Sequence, residues 1–256
     1  MDELIAITRQ VSPGIARCEL THLARRPIDL RLAQVQHHEY MACLTGLGCR
    51  VQCLPAEPDL PDSVFVEDCA VVFDELAILA RPGAESRRGE VPSIAAALRP
   101  YRKLHVLEAP ATLDGGDVLR VGATVFVGLS RRTNAAAIAQ LRALLTPLGY
   151  RVEGVPVEGC LHLKSAVTQV AAGTLLLNRR WVDAEHFARL ELIDVDPAEP
   201  FAANALLVGE SIVYPTAYPL TRLRLLQHGL DVRGVDMSEL AKAEGGVSCC
   251  SLIFPS

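Results

Sequence analysis

Four times in succession the chain spells the same order of parts: two short apolar segments split by a tight turn, a loop, an amphipathic stretch and a third short apolar segment. The paired segments are 69–73 with 76–79, 118–121 with 124–127, 166–170 with 174–177, and 205–208 with 211–214. Runs this short around Asp-Glu, Gly-Ala or Gly-Glu turns read as β-hairpins. The amphipathic stretches lie near 90–99, 133–148, 183–191 and 217–228, and the closing strands at 104–107, 151–157, 192–195 and 230–235. In 133–148, residues Ala137, Ile138, Leu141, Leu144, Leu145 and Leu148 fall on one helical face, with Thr133 or Asn134 to cap the start and Gly149 to end it. A fifth unit is divided between the ends: 251–254 and 4–8 supply neighbouring strands, 31–47 the helix and 50–54 the third strand. Such a period means stacked copies of one supersecondary unit. Joining both termini in one unit closes the stack into a ring and leaves no sheet edge open. The expected fold is a five-bladed α/β propeller of ββαβ repeats with pseudo-fivefold symmetry, a single domain over 1–256. The competing architecture, an open doubly wound α/β sheet, lacks support, because neither GxGxxG nor GxxxxGK[ST] occurs.

In a propeller, equivalent positions of successive blades converge on the central axis. The hairpins open with Glu67-Asp68, Asp114, His162, Asn204 and Cys249, and from Asp68 onward these are spaced 46, 48, 42 and 45 positions apart. Carboxylates, an imidazole and a thiol then meet in one pocket. A thiolate is a strong nucleophile. A histidine can protonate a leaving group and then deprotonate a water. Paired carboxylates that hold no metal suit a planar cation with several N–H donors, and guanidinium is one. Arg87 and Arg132, 45 positions apart, both lie between hairpin and helix, where they could clamp a carboxylate. A ligand with a guanidinium at one end and a carboxylate at the other is an arginine derivative.

Composition excludes other classes. Half of the residues are apolar, the net charge is −5 and no basic stripe occurs, so a nucleic-acid partner is not expected. No apolar run reaches the ~18–20 residues of a membrane helix, and the acidic start MDELIAITRQVSPGI lacks the basic flank of an export leader. The expectation is a soluble, cytoplasmic protein, monomer or homodimer, with a small-molecule substrate and no cofactor or metal. The eight cysteines show no zinc-site spacing, and most read as small buried hydrophobes, Cys250 among them. His37-His38 read as solvated or packed on the first helix, Asp117 as a backbone-bonding residue of the Gly115-Gly116 turn, and Asn204 as another backbone partner. Lys164 reads as pointing off the axis or pairing with a carboxylate, and Trp181 as a packing anchor.

PDLPDSVFVEDCAVV (58–72), LDGGDVL (113–119), GLSRRTN (128–134), GCLHLKSAV (159–167) and SELAKAEGGVSCCSL (238–252) resemble, in order and nearly end to end, the dimethylarginine dimethylaminohydrolase family of the guanidine-modifying pentein superfamily. The resemblance implies hydrolysis of Nω-methylated L-arginine to citrulline and an alkylamine through a covalent thiouronium. It implies Cys249 as nucleophile, His162 as general acid and base, and Asp68 with Asp114 on the guanidinium. Asp62 and Glu67 would touch the ligand or orient its neighbours, Arg87 and Arg132 would take the amino-acid end, Leu20 would belong to a mobile lid, and Ala243 would offer a backbone contact. Two departures stand out. Asp114 is shorter than the Glu of some bacterial members, and Ala243 and Glu244, the latter standing where some relatives have Asp, line a variable loop. The alternative is a deiminase acting on arginine or another guanidine compound. A non-catalytic propeller would have no reason to keep thiol, imidazole and carboxylates in register.

Overall fold

The computed structural model of the chain describes residues 3–256. In chain order, β1 (Leu4–Arg9), α1 (Leu30–Gly46) and β2 (Cys49–Leu54) are followed by β3 (Ala70–Val72), β4 (Leu76–Leu79), α2 (Val91–Leu98) and β5 (Lys103–Val106). Next come β6 (Val118–Val121), β7 (Thr124–Leu129), α3 (Ala135–Leu145) and β8 (Arg151–Pro156), then α4 (Leu163–Ala166), β9 (Val167–Ala171), β10 (Thr174–Leu177) and β11 (Glu191–Asp194). The chain ends with β12 (Leu206–Val208), β13 (Ser211–Pro215), α5 (Pro219–Gln227), β14 (Asp231–Val235), α6 (Ser238–Ala241) and β15 (Leu252–Pro255). The strands form five three-stranded sheets: β15-β1-β2, β3-β4-β5, β6-β7-β8, β9-β10-β11 and β12-β13-β14. In each, the leading strand pairs antiparallel with the middle one, which pairs parallel with the last. This is the expected α/β propeller, and the first and last strands share a sheet.

The middle strands explain why the ring forms. Each is buried on both faces, and successive residues serve different cores. Ile5 and Ile7 of β1 pack into the same cluster as Ala77 and Leu79 of β4, while Ala6 packs with Val213 of β13. Leu76 and Ile78 pack with Val125 and Val127 of β7, and Phe126 with Leu175 and Leu177 of β10. Leu176 packs with Ile212 and Tyr214 of β13, which returns to the first sheet. Side chains alternate between faces along a strand, so every middle strand is a wall shared by two cores. No blade can bury both faces without two neighbours. The leading strands of all five blades line a shared central cavity of about 380 Å3.

Helix starts follow local chemistry. The Asp29 carboxylate accepts the amides of Arg31 and Leu32 at the start of α1, and the Asn134 side-chain oxygen accepts that of Ala137 at the start of α3. One expectation fails. The stretch 183–191 forms only a 3-10 turn, Ala184–Phe187, before β11 begins at Glu191. The connection is consumed first by a turn at Asn178–Trp181, where Asn178 donates to the Pro200 carbonyl at 2.7 Å and accepts the Arg180 amide at 2.9 Å. Too little chain remains for a helix. Among the described residues no helix is long and apolar enough to cross a membrane.

Candidate active site

The turns that run into the leading strands lie at one end of the ring. Glu67 and Asp68 sit on a 3-10 turn (Val66–Cys69), Asp114 precedes the turn Gly115–Asp117, and His162 caps α4. Cys249 does not lie on a strand but on a turn three residues before β15 begins at Leu252. That turn is braced from several sides. Asn204 accepts the Ser248 amide at 3.1 Å and donates to the Ser248 hydroxyl at 3.0 Å and the Lys164 carbonyl at 3.0 Å. The Tyr40 hydroxyl donates to the Val247 carbonyl at 2.9 Å. A Cβ on Gly246 would stand 2.2 Å from the Asn204 oxygen, so only glycine allows this approach. The Gly246 amide in turn donates to the Cys249 Sγ at 3.3 Å. Cys250 is fully buried in the adjoining core, as expected.

The acid–base groups form one charge-balanced cluster. His162 Nε2 lies 3.0 Å from Asp114 Oδ2 and its Nδ1 lies 3.8 Å from Asp68 Oδ1. Burial alone would push the imidazole down, but the Asp68 charge and the Asp114 hydrogen bond outweigh it and raise the pKa to about 9. Burial would likewise push Asp68 up, yet the charges of His162 and Arg87 win and hold it at about 2. Burial, then Glu67 and Asp68, push the Cys249 thiol up to about 12. At neutral pH these shifts pair an imidazolium with a protonated thiol. Asp68, Asp114 and His162 place possible ligand atoms within 4.8 Å of one another, a spacing that suits a metal ion.

Several expected residues take different places. Asp114 does not line the small polar cavity described below: it is fully buried behind the imidazole, accepting from His162 and from the Gly83 amide at 2.8 Å. Its part is to hold His162. Glu67 does not line that cavity either. Its carboxylate accepts from Lys164 Nζ at 2.5 Å and from the Ser248 hydroxyl at 2.9 Å, and it lines the central cavity on the opposite side. It steadies the turn that carries Cys249. Arg87 gives most of its five N–H donors to Glu90, Asp68 and the Asp62 and Phe65 carbonyls; one Nη1 hydrogen remains for a ligand. Arg132 is freer, because its buried Nη1 has no hydrogen-bond partner and lies 3.6 Å from Asp114. Asp117, expected to bond the backbone of its own turn, instead accepts from the Ser130 hydroxyl and from the Leu163 amide of the next blade.

Asp62, Asp68, Arg87, Arg132, His162, Ala243 and Cys249 all line one small polar cavity of about 20 Å3, together with Glu19 and Glu244. The segment 19–23 closes over it. Asp62 accepts the Glu19 amide at 3.1 Å, and Glu244 accepts the amides of Thr21, His22 and Leu23 at 3.1, 2.6 and 2.6 Å. Arg132 donates to the Thr21 hydroxyl at 3.2 Å. Leu20 packs on the neighbouring core and its side chain lines neither this cavity nor the larger one beside it. Sequence reading missed the latch formed by Glu244. Its signal, a carboxylate before Gly245-Gly246, becomes specific only with the left-handed φ of 60° that turns Glu244 toward the segment.

A sequence profile of the family described as N,N dimethylarginine dimethylhydrolase, eukaryotic, matches residues 24–172. The chain is 41% identical to the N(G),N(G)-dimethylarginine dimethylaminohydrolase of Streptomyces coelicolor, over 96% of this chain and 95% of that one. It is 37% identical to the protein of the same name from Pseudomonas aeruginosa, over 88% and 90% of the two chains. A solved structure of the Pseudomonas aeruginosa protein, a cysteine-to-serine mutant complexed with citrulline, superposes with a TM-score of 0.93 at 35% identity, covering 99% of this chain and 100% of that one.

Proposed function

The chain belongs to the dimethylarginine dimethylaminohydrolase family, and from that premise we propose that it hydrolyses Nω-methylated L-arginine to citrulline and mono- or dimethylamine through a covalent Cys249 intermediate. The observation that carries the reading is the shared cavity. One space is walled by a thiol, an imidazole, the Asp62 and Asp68 carboxylates, and an arginine with an unpartnered nitrogen. Closed under segment 19–23, this space holds no more than about one water, so the substrate enters with that segment lifted, and its carboxylate docks on Arg132 Nη1 and the remaining Arg87 hydrogen. Asp68 and Asp62 accept from the guanidinium and aim its carbon at Cys249.

Charge then sets the order of proton transfers. A cation beside the thiol opposes the Glu67 and Asp68 charges that raise its pKa, so binding releases the thiol proton to water. The Gly246 amide remains as a donor to the thiolate. Sulfur adds to the guanidinium carbon. His162, already protonated, gives its proton to the departing amine as the C–N bond breaks. The neutral imidazole next takes a proton from water, whose oxygen adds to the same carbon. The C–S bond breaks and citrulline leaves. Asp114 keeps the imidazole oriented throughout.

Products of asymmetric dimethylarginine, monomethylarginine and arginine, assayed side by side, test this reading. Citrulline with an equal amount of dimethylamine or methylamine is expected. Cys249→Ser is expected to bind substrate and lose turnover by about 10³-fold or more. Full activity in that variant overturns the mechanism, and ammonia from arginine without amine from the methylated substrates makes the protein a deiminase.

A further inference from the structure

A second cavity abuts the polar one, and Cys249 lines both. Leu161, Glu244, Gly245 and Cys249 line both, so the two spaces meet where the guanidinium carbon is attacked. They differ in size and character. The polar cavity is about 20 Å3, room for a single water on the scale of ~10–15 Å3 per water. The second is about 190 Å3 and is walled mainly by Leu23, Leu161, Phe201, Pro215, Tyr218 and Met237. An apolar cavity of about 150 Å3 holds a benzene ring, so this one has space well beyond a methyl group.

The chemistry of the substrate assigns the two sides. Of the three guanidinium nitrogens, the two without a substituent other than the arginine chain carry the hydrogens that Asp68 and Asp62 can accept. The alkylated nitrogen presents carbon, which has nothing to offer those carboxylates and costs free energy to leave in contact with them. The apolar cavity is the complementary neighbour of the thiol. We propose that this cavity receives the Nω substituent and the amine it becomes, and that it admits unbranched alkyl or benzyl groups far larger than methyl. The substrate class thereby widens to Nω-alkyl and Nω-aralkyl arginines. The reaction balances as before: Nω-butyl-L-arginine and water give citrulline and butylamine. This rests on the hydrolysis proposed above.

The experiment measures citrulline and amine release from Nω-methyl-, Nω-butyl- and Nω-benzyl-L-arginine. The wild-type chain is expected to convert all three, with kcat/KM for the butyl compound within about tenfold of the methyl one. Ala217, exposed at the cavity rim, offers a site for filling it. Ala217→Trp is expected to lower the butyl-to-methyl ratio of kcat/KM by about tenfold. Conversion of the methyl compound with no conversion of the butyl and benzyl ones overturns this inference and leaves the hydrolase reading standing. An unchanged ratio in Ala217→Trp overturns it too. Failure of every compound to yield citrulline overturns the hydrolase reading, and this inference with it.

Discussion

At the residue scale the site depends on which groups hold a proton. The imidazole of His162 stays charged up to about pH 9 because Asp68 and Asp114 outweigh its burial. The first chemical step needs that proton, so kcat/KM is expected to fall as pH rises through about 9. Asp114→Asn removes one of the supports, and the falling limb should move to lower pH by about one unit. A pH profile of kcat/KM in both proteins checks the direction; an unmoved limb would mean that Asp114 does not act through His162. The same shift bears on stability. A pKa raised from 6.5 to about 9 stabilises the fold below pH 6.5 and loses that contribution as pH rises through 9. The loss is on the order of 3 kcal/mol, and thermal melts of His162→Gln should lack it. Blade spacing made the cysteine and histidine legible, because it fixes where the backbone arrives. It does not fix where a side chain points. Glu67 and Asp68 are neighbours on one turn, yet one binds Lys164 and Ser248 and the other His162 and Arg87. No periodic pattern separates them.

At the scale of elements, the segment 19–23 is held by one side chain. Glu244 accepts three successive backbone amides, and hydrogen bonds to a charged group contribute about 1.5–3 kcal/mol each. Glu244→Ala is expected to free the segment, raise KM about tenfold and speed tryptic cleavage after Arg25 by a similar factor. Glu244→Gly should open it equally. Glycine also relieves the left-handed backbone, so that variant should be about 1 kcal/mol more stable than the alanine one. Unchanged KM and proteolysis in both would show the latch idle. The helix missing from 183–191 shows what pattern reading lacks at this scale. Apolar spacing was adequate there, but the turn fixed by Asn178 took the chain the helix required. Hydrogen bonds to a distant segment, here the Pro200 carbonyl, are invisible in a local window.

At the scale of the molecule, the fold was the most legible part, because the repeat itself demands closure. Two-sided middle strands have no stable open arrangement, and the sequence carries this as strict alternation of cores along β1, β4, β7, β10 and β13. The ends of the described chain fit the same rule. Leu4 pairs with Pro255, and the Ser256 amide donates to the Glu3 carbonyl at 2.8 Å. They occupy the place held in the other blades by the hairpin turns at Asp74-Glu75, Gly122-Ala123, Gly173 and Gly209-Glu210, at the end of the leading strand remote from Cys249. The ring is indifferent to which of these turns carries the break. A circular permutant with the ends joined by a short glycine linker and opened between Gly209 and Glu210 should therefore fold and keep activity within about threefold, since both residues are exposed and the cut severs no core. Removing 252–256 is a different operation. It strips β15, exposes the edge of β1 and takes Leu252 and Phe254 from the core shared with β4, at a cost of about 1.5–3 kcal/mol for each side chain. That truncation should be insoluble or inactive. If the permutant fails while the truncation folds, covalent order rather than ring closure holds the molecule together.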